Sequence, residues 1–533
     1  MNRDATWYPL THRQFRSFWS AGAIVNLAIW MQTVGAAWIM AGLTDSAWMV
    51  SLVQTAMTLP VFLFALPGGV MADRVNRKYW LICTQSLMLA ASTVLCVMTF
   101  AGTLQPWSLL AMTFILGTGS ALSMSAWMAV TLTLIPREIV PAAVALNAIS
   151  TNVARALGPA IAGLLIAVAG QPSMFLLIAL FFLGVITFLS FWRMRKAPEV
   201  LPPETFLGGM RSGLRYIRHS IALTSSLRQV FLFTSCASAL WALLPVIAKE
   251  QLGMQADGYG MLMGALGTGA VLAAVNLTRL YRRFELRKLV VVGAVSFAIV
   301  MASVAVLHLA WVVWLLLVVA GIAWMAVNAT VATVVQTCAA DWVRARVASV
   351  YLLMYMGAMA AGGAVWGLLA DYIGTPRSLQ LAALVTILGL WFTRKGVFRL
   401  GSEADFRSVS QTDKLVVVGE VAHSDGPVSV EIRYRAAAKE QQSFISIAYV
   451  VGKSRRRNGA RNWRLYRDLA DPEHYVERFI VESWLDYLRQ RARVTQADQK
   501  FEQRLQRYLV DSESNTKRYI YQPDVENEWL DKN

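Results

Sequence analysis

The sequence predicts an all-α membrane protein of twelve transmembrane helices in two six-helix halves, followed by a small soluble α+β domain. Three observations carry this. Of 533 residues, 56% are hydrophobic and only 15% charged, against roughly 45–50% and 25% in soluble domains. The apolar excess is confined to residues 15–395, whereas 396–533 has an ordinary soluble composition. Basic residues, finally, recur in every second loop between apolar runs. A soluble enzyme is excluded for the chain as a whole. The net charge of +17 lies largely in short loops, so it reports membrane topology, and no nucleic-acid partner is expected. Cys83, Cys96, Cys236 and Cys338 fall within or at the edge of apolar runs without metal-type spacing. Neither a disulfide framework nor a metal site is expected.

A bilayer core about 30 Å thick needs about 20 helical residues. Runs of that length cover 16–42, 47–71, 79–101, 106–134, 142–169, 173–192, 229–248, 258–280, 288–308, 311–337, 347–370 and 378–394. The first follows Arg3, Arg13 and Arg16 and lacks a small-residue cleavage site, so it reads as an uncleaved helix. Loops after even-numbered spans hold eighteen Lys and Arg residues, and the alternate loops only Lys249 and Arg377. Because Lys and Arg are retained on the cytoplasmic side, both termini are expected there. Arg74 and Arg283, Arg137 and Arg346, and Gly158 and Gly367 are each 209 residues apart. This shared offset divides the membrane part into halves at 1–192 and 229–395, joined by a linker over 193–228, as in transporters built from parallel repeats.

Span 2 ends in Gly68-Gly69-Val70-Met71-Ala72-Asp73-Arg74-Val75-Asn76-Arg77-Lys78. Glycine permits close helix approach, Asp73 can pair with a cation or cap the next helix, and Arg74, Arg77 and Lys78 hold the loop at the anionic surface. The run resembles the GxLaDRxGRK signature of the major facilitator superfamily. Asn76 stands where glycine is usual, and is expected to be tolerated because Asn enters the left-handed region. The resemblance implies a conformational gate built on Gly69, Asp73, Arg74, Arg77 and Lys78. A generic basic stop sequence is the plainer reading.

Span 5 contains Asn152-Val153-Ala154-Arg155-Ala156-Leu157-Gly158-Pro159-Ala160-Ile161-Ala162-Gly163. A helical proline frees a carbonyl and bends the rod, while Gly158 and Gly163 let a neighbouring helix close over it. The run resembles the GPxxGG element of antiporter-type facilitators, which implies export; a kink without directional meaning is the alternative. Arg155 is the one clearly central ionisable residue in the spans, and such a charge is costly unless it meets a cavity or partner. Two roles are open to it: binding an anionic substrate group, or a structural bond to carbonyls or to Asn147 and Asn152. Asn26, Gln32, Gln54, Asn276, Asn328 and Gln336 are further cavity candidates, with Trp30, Trp38, Trp127, Trp241 and Trp324 able to stack an aromatic or amphiphilic solute.

Beyond Gly401, strands are expected over 428–434, 462–469 and 475–481 and helices over 437–454, 482–493 and 496–510. This order predicts a ferredoxin-like cytoplasmic domain over 415–510, with 511–533 a polar, extended tail. The basic run Arg455-Arg456-Arg457 and Arg461 could meet anionic lipid, a solvated turn being the plainer reading.

The combination of Arg455-Arg456-Arg457-Asn458-Gly459-Ala460, Trp463, Val476-Glu477-Arg478-Phe479 and Glu482-Ser483-Trp484 with Pro136-Arg137, Ala145-Leu146-Asn147 and Arg344-Ala345-Arg346-Val347 resembles the transmembrane secretion effector family. That family includes relatives of enterobactin exporters. The resemblance implies a secondary transporter of the bacterial plasma (inner) membrane, multi-pass, exporting a small amphiphilic siderophore, drug or secondary metabolite by alternating access. No cofactor is implied. A proton or other ion gradient would supply the energy through antiport, but Thr113 stands where proton-coupled exporters commonly carry Arg, and Asp45, Glu250, Asp257 and Asp371 lie only near helix ends. Implied partners are the small-molecule substrate, membrane lipid and a second copy through the appended domain. That domain resembles small dimeric monooxygenases; related sequences tend to carry His where Tyr487 stands, so His474, Tyr475, Trp484 and Tyr487 suggest binding rather than turnover. A membrane-anchored sensor or enzyme acting through this domain, and a lipid flippase, are the alternative functions.

Overall fold

The computed structural model describes residues 7–136, 139–192, 213–340, 342–393, 421–422, 424–510 and 515–521. Among them are twelve long helices: α1 (Arg13–Leu43), α2 (Ala47–Arg74), α3 (Arg77–Phe100), α4 (Pro106–Thr133), α5 (Val140–Ala169), α6 (Gln171–Phe191), α7 (Ile221–Val246), α8 (Ala256–Arg283), α9 (Leu286–Val304), α10 (Ala310–Thr337), α11 (Arg344–Ile373) and α12 (Thr375–Thr393). Eleven are long and apolar enough to cross a membrane; in α12 the polar Arg377, Ser378 and Gln380 dilute the first turns.

Each helix is apolar on two sides. In α6, Phe175, Ile178, Phe182, Val185 and Leu189 form a buried stripe, while Leu176, Leu180 and Leu183 are exposed. The first stripe packs inward and the second suits acyl chains, so a periodicity of polarity is missing although the helix has an inside and an outside. At the α2–α3 turn, Asn76 has an ordinary φ of −58° rather than a left-handed one. It stands there as an N-cap, its Oδ1 accepting from the Lys78 amide at 3.0 Å.

The chain divides into two compact units. The first comprises residues 1–202, 227–332 and 351–395. In it α2 packs on α4 and α3 on α6, and the two halves meet where α5 lies against α8. They meet again where Thr55 of α2 donates to the Ala360 carbonyl of α11 at 2.9 Å.

The second unit comprises 203–226, 333–350 and 396–533. Its sheet holds β1 (Val428–Arg435), β2 (Arg461–Arg467), β3 (His474–Val481) and β4 (Asn515–Ile520) in the order β2-β3-β1-β4, with every neighbouring pair antiparallel. With α13 (Gln441–Asn458), α14 (Trp484–Ala492) and α15 (Gln496–Gln506) this is a ferredoxin-like arrangement. The inward face alternates as Val428, Val430, Ile432 and Tyr434 in β1 and Tyr475, Glu477, Phe479 and Val481 in β3, and it buries Phe444, Ala448 and Val451 of α13. Part of the expected polar tail is thus β4. Its sequence, Asn-Thr-Lys-Arg-Tyr-Ile, has no apolar alternation because it is an edge strand, held by backbone pairing to β1.

The basic run is used within this unit and forms no solvated turn. Arg455 pairs with Glu502 at 2.7 Å, Arg456 lies 5.2 Å from the Trp463 ring, Arg457 pairs with Asp498 and Arg461 with Glu482. Arg457 also covers the ring of Tyr216 at 5.1 Å. Tyr216, in a helical turn over 213–218, accepts from the Ala340 amide at 3.3 Å and meets Trp342 edge-on at 5.6 Å. Arg493 covers Trp342 in turn, 4.2 Å from its centroid. The inter-half linker and the α10–α11 loop therefore belong to the same body as the appended domain.

Candidate transport cavity

A cavity of about 460 Å³ lies between the two halves. α1 contributes Asn26 and Trp30, α2 Gln54, α4 Trp127, and α5 Ser150 and Arg155; Trp241, Trp324 and Tyr355 come from the other half. Asn26 donates to the Ser150 hydroxyl at 3.3 Å, tying α1 to α5. The Arg155 guanidinium lies 5.0 Å from the Trp30 ring centroid. From Trp30 an aromatic wall continues across the halves, with centroids 6.3 Å apart for Trp30 and Trp241, 5.5 Å for Trp241 and Trp324, and 6.2 Å for Trp324 and Tyr355.

Arg155 Nε is buried without a hydrogen-bond partner, and among the described residues no carboxylate pairs with this side chain. Neither Asn147 nor Asn152 supplies a bond; Asn152 donates to the Ala148 carbonyl at 2.9 Å. Stacking on Trp30 recovers only part of the desolvation cost, so the cavity keeps a cation available to a negative group.

Of the other candidates, Asn26, Gln54, Trp127, Trp241 and Trp324 line the cavity, and Gln32, Asn152, Asn328 and Trp38 do not. Gln32 is only 1% exposed, within the packed body. Asn328 donates to the Trp324 carbonyl one turn back at 3.0 Å, Asn276 likewise to Leu272 at 3.0 Å, and Trp38 stacks on Tyr259 at 5.6 Å. Tyr355, Met356 and Met359 were not singled out from sequence. The available signal was the i, i+4, i+8 row Tyr351, Tyr355, Met359 along α11.

The halves are tied together where α1 turns into α2 and α11 into α12. Asp371 of α11 accepts from the Ser46 hydroxyl at 2.7 Å and the Trp48 amide at 3.1 Å, and Lys249 donates to the Ala41 carbonyl. Along α5, a Cβ on Gly158 would come within 2.8 Å of Trp30 Cβ, and one on Gly163 would collide with the Ala256 carbonyl of α8. A Cβ on Gly260 would in turn sit 2.7 Å from the Pro159 carbonyl. The Gly-Pro run is thus where the backbones of the two halves meet. Gly260→Val is expected to cost about 1–3 kcal/mol in this seam and so to shift the balance of states by about 5- to 100-fold. Transport should fall by a similar factor, and a cysteine placed at Trp38 should become more reactive to a water-soluble maleimide.

In the gating motif, a Cβ on Gly69 would lie 3.4 Å from Ser125 Oγ, and Lys78 Nζ donates to the Ser190 carbonyl at 2.8 Å. Arg77 opens α3. The side chains of Asp73 and Arg74 lie outside the described residues. In the appended domain, His474 is on the surface beside Asp471, at 2.8 Å, and Tyr475 and Trp484 are core residues.

The sequence matches the transmembrane secretion effector family over residues 4–523. The chain belongs to that family. It is 23% identical over 377 residues to the staphyloferrin A transporter of Staphylococcus aureus, covering 69% of this chain and 93% of that one. It is 28% identical over 282 residues to the enterobactin exporter EntS of Shigella flexneri, covering 51% of this chain and 64% of that one. Among solved structures, the nucleoside transporter NupG superposes with a TM-score of 0.58 at 12% identity, covering 71% of this chain and 99% of that one. A bacterial homologue of the lysosomal transporter Spinster, inward-facing and unoccupied, gives 0.56 at 13% identity, covering 71% and 95%. These structures establish the major facilitator fold. This family member is therefore a multi-pass membrane transporter and not an enzyme.

Proposed function

We propose that the protein exports a small amphiphilic anion, of the siderophore or related secondary-metabolite type, across the bacterial plasma (inner) membrane by alternating access. The observation that carries this reading is Arg155, held over Trp30 in an aromatic cavity between the halves with no carboxylate partner among the described residues. A negative headgroup on Arg155 and an apolar or aromatic body along Trp241 and Trp324 would use both features. The names of the two relatives, a staphyloferrin A transporter and an enterobactin exporter, support the substrate class. The basic loops after even-numbered spans support a cytoplasmic face for both termini, so the cavity end reaching Phe18, Trp19 and Thr131 would load from the cytoplasm. Proton antiport is the expected energy source.

The test compares metabolites inside and outside deletion and complemented cells, followed by uptake of the affected compound into inside-out vesicles with and without a pH gradient. An anionic compound should accumulate inside deletion cells, fall outside them, and enter vesicles only when the protein is present. Unchanged metabolite levels together with inert vesicles would overturn export, and uptake indifferent to the gradient would overturn proton antiport.

A further inference from the structure

The appended domain contains a second cavity, of about 190 Å³, between the inward sheet face and its helices. A cavity of about 150 Å³ holds benzene, so this one has room for a single six-membered ring with a small substituent. Its apolar lining includes Val430 and Phe479 from the sheet and Leu505 from α15. The charged lining is uneven. Arg455 is balanced by Glu502 at 2.7 Å and by Glu477 at 3.5 Å. Among the described residues the solvent-exposed Arg518 of β4 has only the Tyr487 hydroxyl as hydrogen-bond partner and the same ring as a stacking surface, at 5.7 Å, and no carboxylate pairs with it. Asn458, also in the lining, has a buried Oδ1 without a partner.

We infer that this cavity is a binding site for a small monocyclic carboxylate, its ring between Phe479 and Leu505 and its carboxylate on Arg518. The site is separate from the transport cavity and does not depend on what is exported. A ring would cover the apolar surfaces of Phe479 and Leu505 within an otherwise polar lining, and the carboxylate would replace water on the exposed Arg518 guanidinium with a charge-assisted bond. Tyr487 orients Arg518 by accepting from its Nε.

The probe is 4-fluorobenzoate, followed by fluorine NMR on the full-length protein in detergent, with benzoate and the neutral isostere benzamide as competitors. Saturable binding is expected, with benzoate displacing the probe and benzamide weaker by about tenfold or more. Arg518→Gln should weaken the probe by a similar factor. Arg155→Ala, in the other cavity, should leave its affinity unchanged. Absence of saturable binding at millimolar probe, equal competition by benzamide and benzoate, affinity indifferent to Arg518→Gln, or loss of binding in Arg155→Ala would each overturn the assignment. The benzamide comparison uses the wild-type chain and so stands whether or not a variant folds.

Discussion

Arg155→Ala is expected to lower transport by about 10- to 100-fold while leaving the protein as stable as before or more so. Losing a charge-assisted bond to the substrate accounts for about 1.5–3 kcal/mol, and each 1.4 kcal/mol is a factor of ten. The stability half of the expectation follows from the absence of a counter-ion. An arginine that held the helices together would be paired, and truncating it would strand a buried carboxylate or carbonyl. Among the described residues Arg155 has no such partner to strand; its contacts are the Trp30 face at 5.0 Å and the cavity. Removing it relieves a desolvated charge. Arg155→Lys keeps the charge but gives up the planar stacking on Trp30, so its transport should fall between wild type and alanine. The measurements are vesicle transport of the identified substrate and thermal unfolding in detergent. Unchanged transport in the alanine variant would remove Arg155 from the substrate path, and a melting point lowered by several degrees would make it a structural residue.

The helices were legible because a bilayer imposes length and composition on whatever crosses it, and the loop charges gave the alternation of sides. What the sequence hid was the direction each helix faces. In a soluble helix polarity marks the outside, but here lipid and core are both apolar, so α6 gives no sign that Leu180 faces out and Phe182 in. Polar residues are a weaker guide than they look. Asn152 and Asn328 donate their side-chain N–H groups to the carbonyls of Ala148 and Trp324, one turn back on their own helices, and a side chain that donates to its own backbone need not face a cavity. Arg155, whose guanidinium cannot be hidden so cheaply, does line the cavity. In the appended domain the strands with alternating apolar residues were visible, whereas β4 was not, since an edge strand draws its stability from backbone pairing. The arginines of α13 looked like a surface patch because the carboxylates they meet, Glu477, Asp498 and Glu502, arrive from positions up to 47 residues away.

Asp498→Ala is expected to destabilise the appended domain by about 3–5 kcal/mol, the cost of breaking a buried ion pair from one side. The carboxylate receives two bonds from Arg457 Nη2, at 2.6 and 2.7 Å, and accepts from the Thr495 amide and hydroxyl at 3.1 and 2.9 Å, closing the first turn of α15. Alanine removes the cap and leaves the Arg457 guanidinium buried without its charge. The pair also sets a pH dependence. Burial alone would raise the Asp498 pKa, but the Arg457 charge, with bonds from Ser454 and Thr495, holds it below the ordinary carboxylate value. A carboxyl with a depressed folded-state pKa contributes its full stability above the unfolded value, near pH 3.9, and loses it as pH falls through the folded value. Wild-type stability should therefore drop on acidification below about pH 4 by more than that of Asp498→Asn. Hydrogen exchange on the full chain reads both effects by segment. Because Arg457 also covers Tyr216, the alanine variant should exchange faster at 213–218 as well as at 496–506. Faster exchange confined to 496–506 would mean that the linker is held independently of the appended domain. Faster exchange at both would show that the tyrosine between the two transporter halves is held by a carboxylate nearly 300 residues further along the chain.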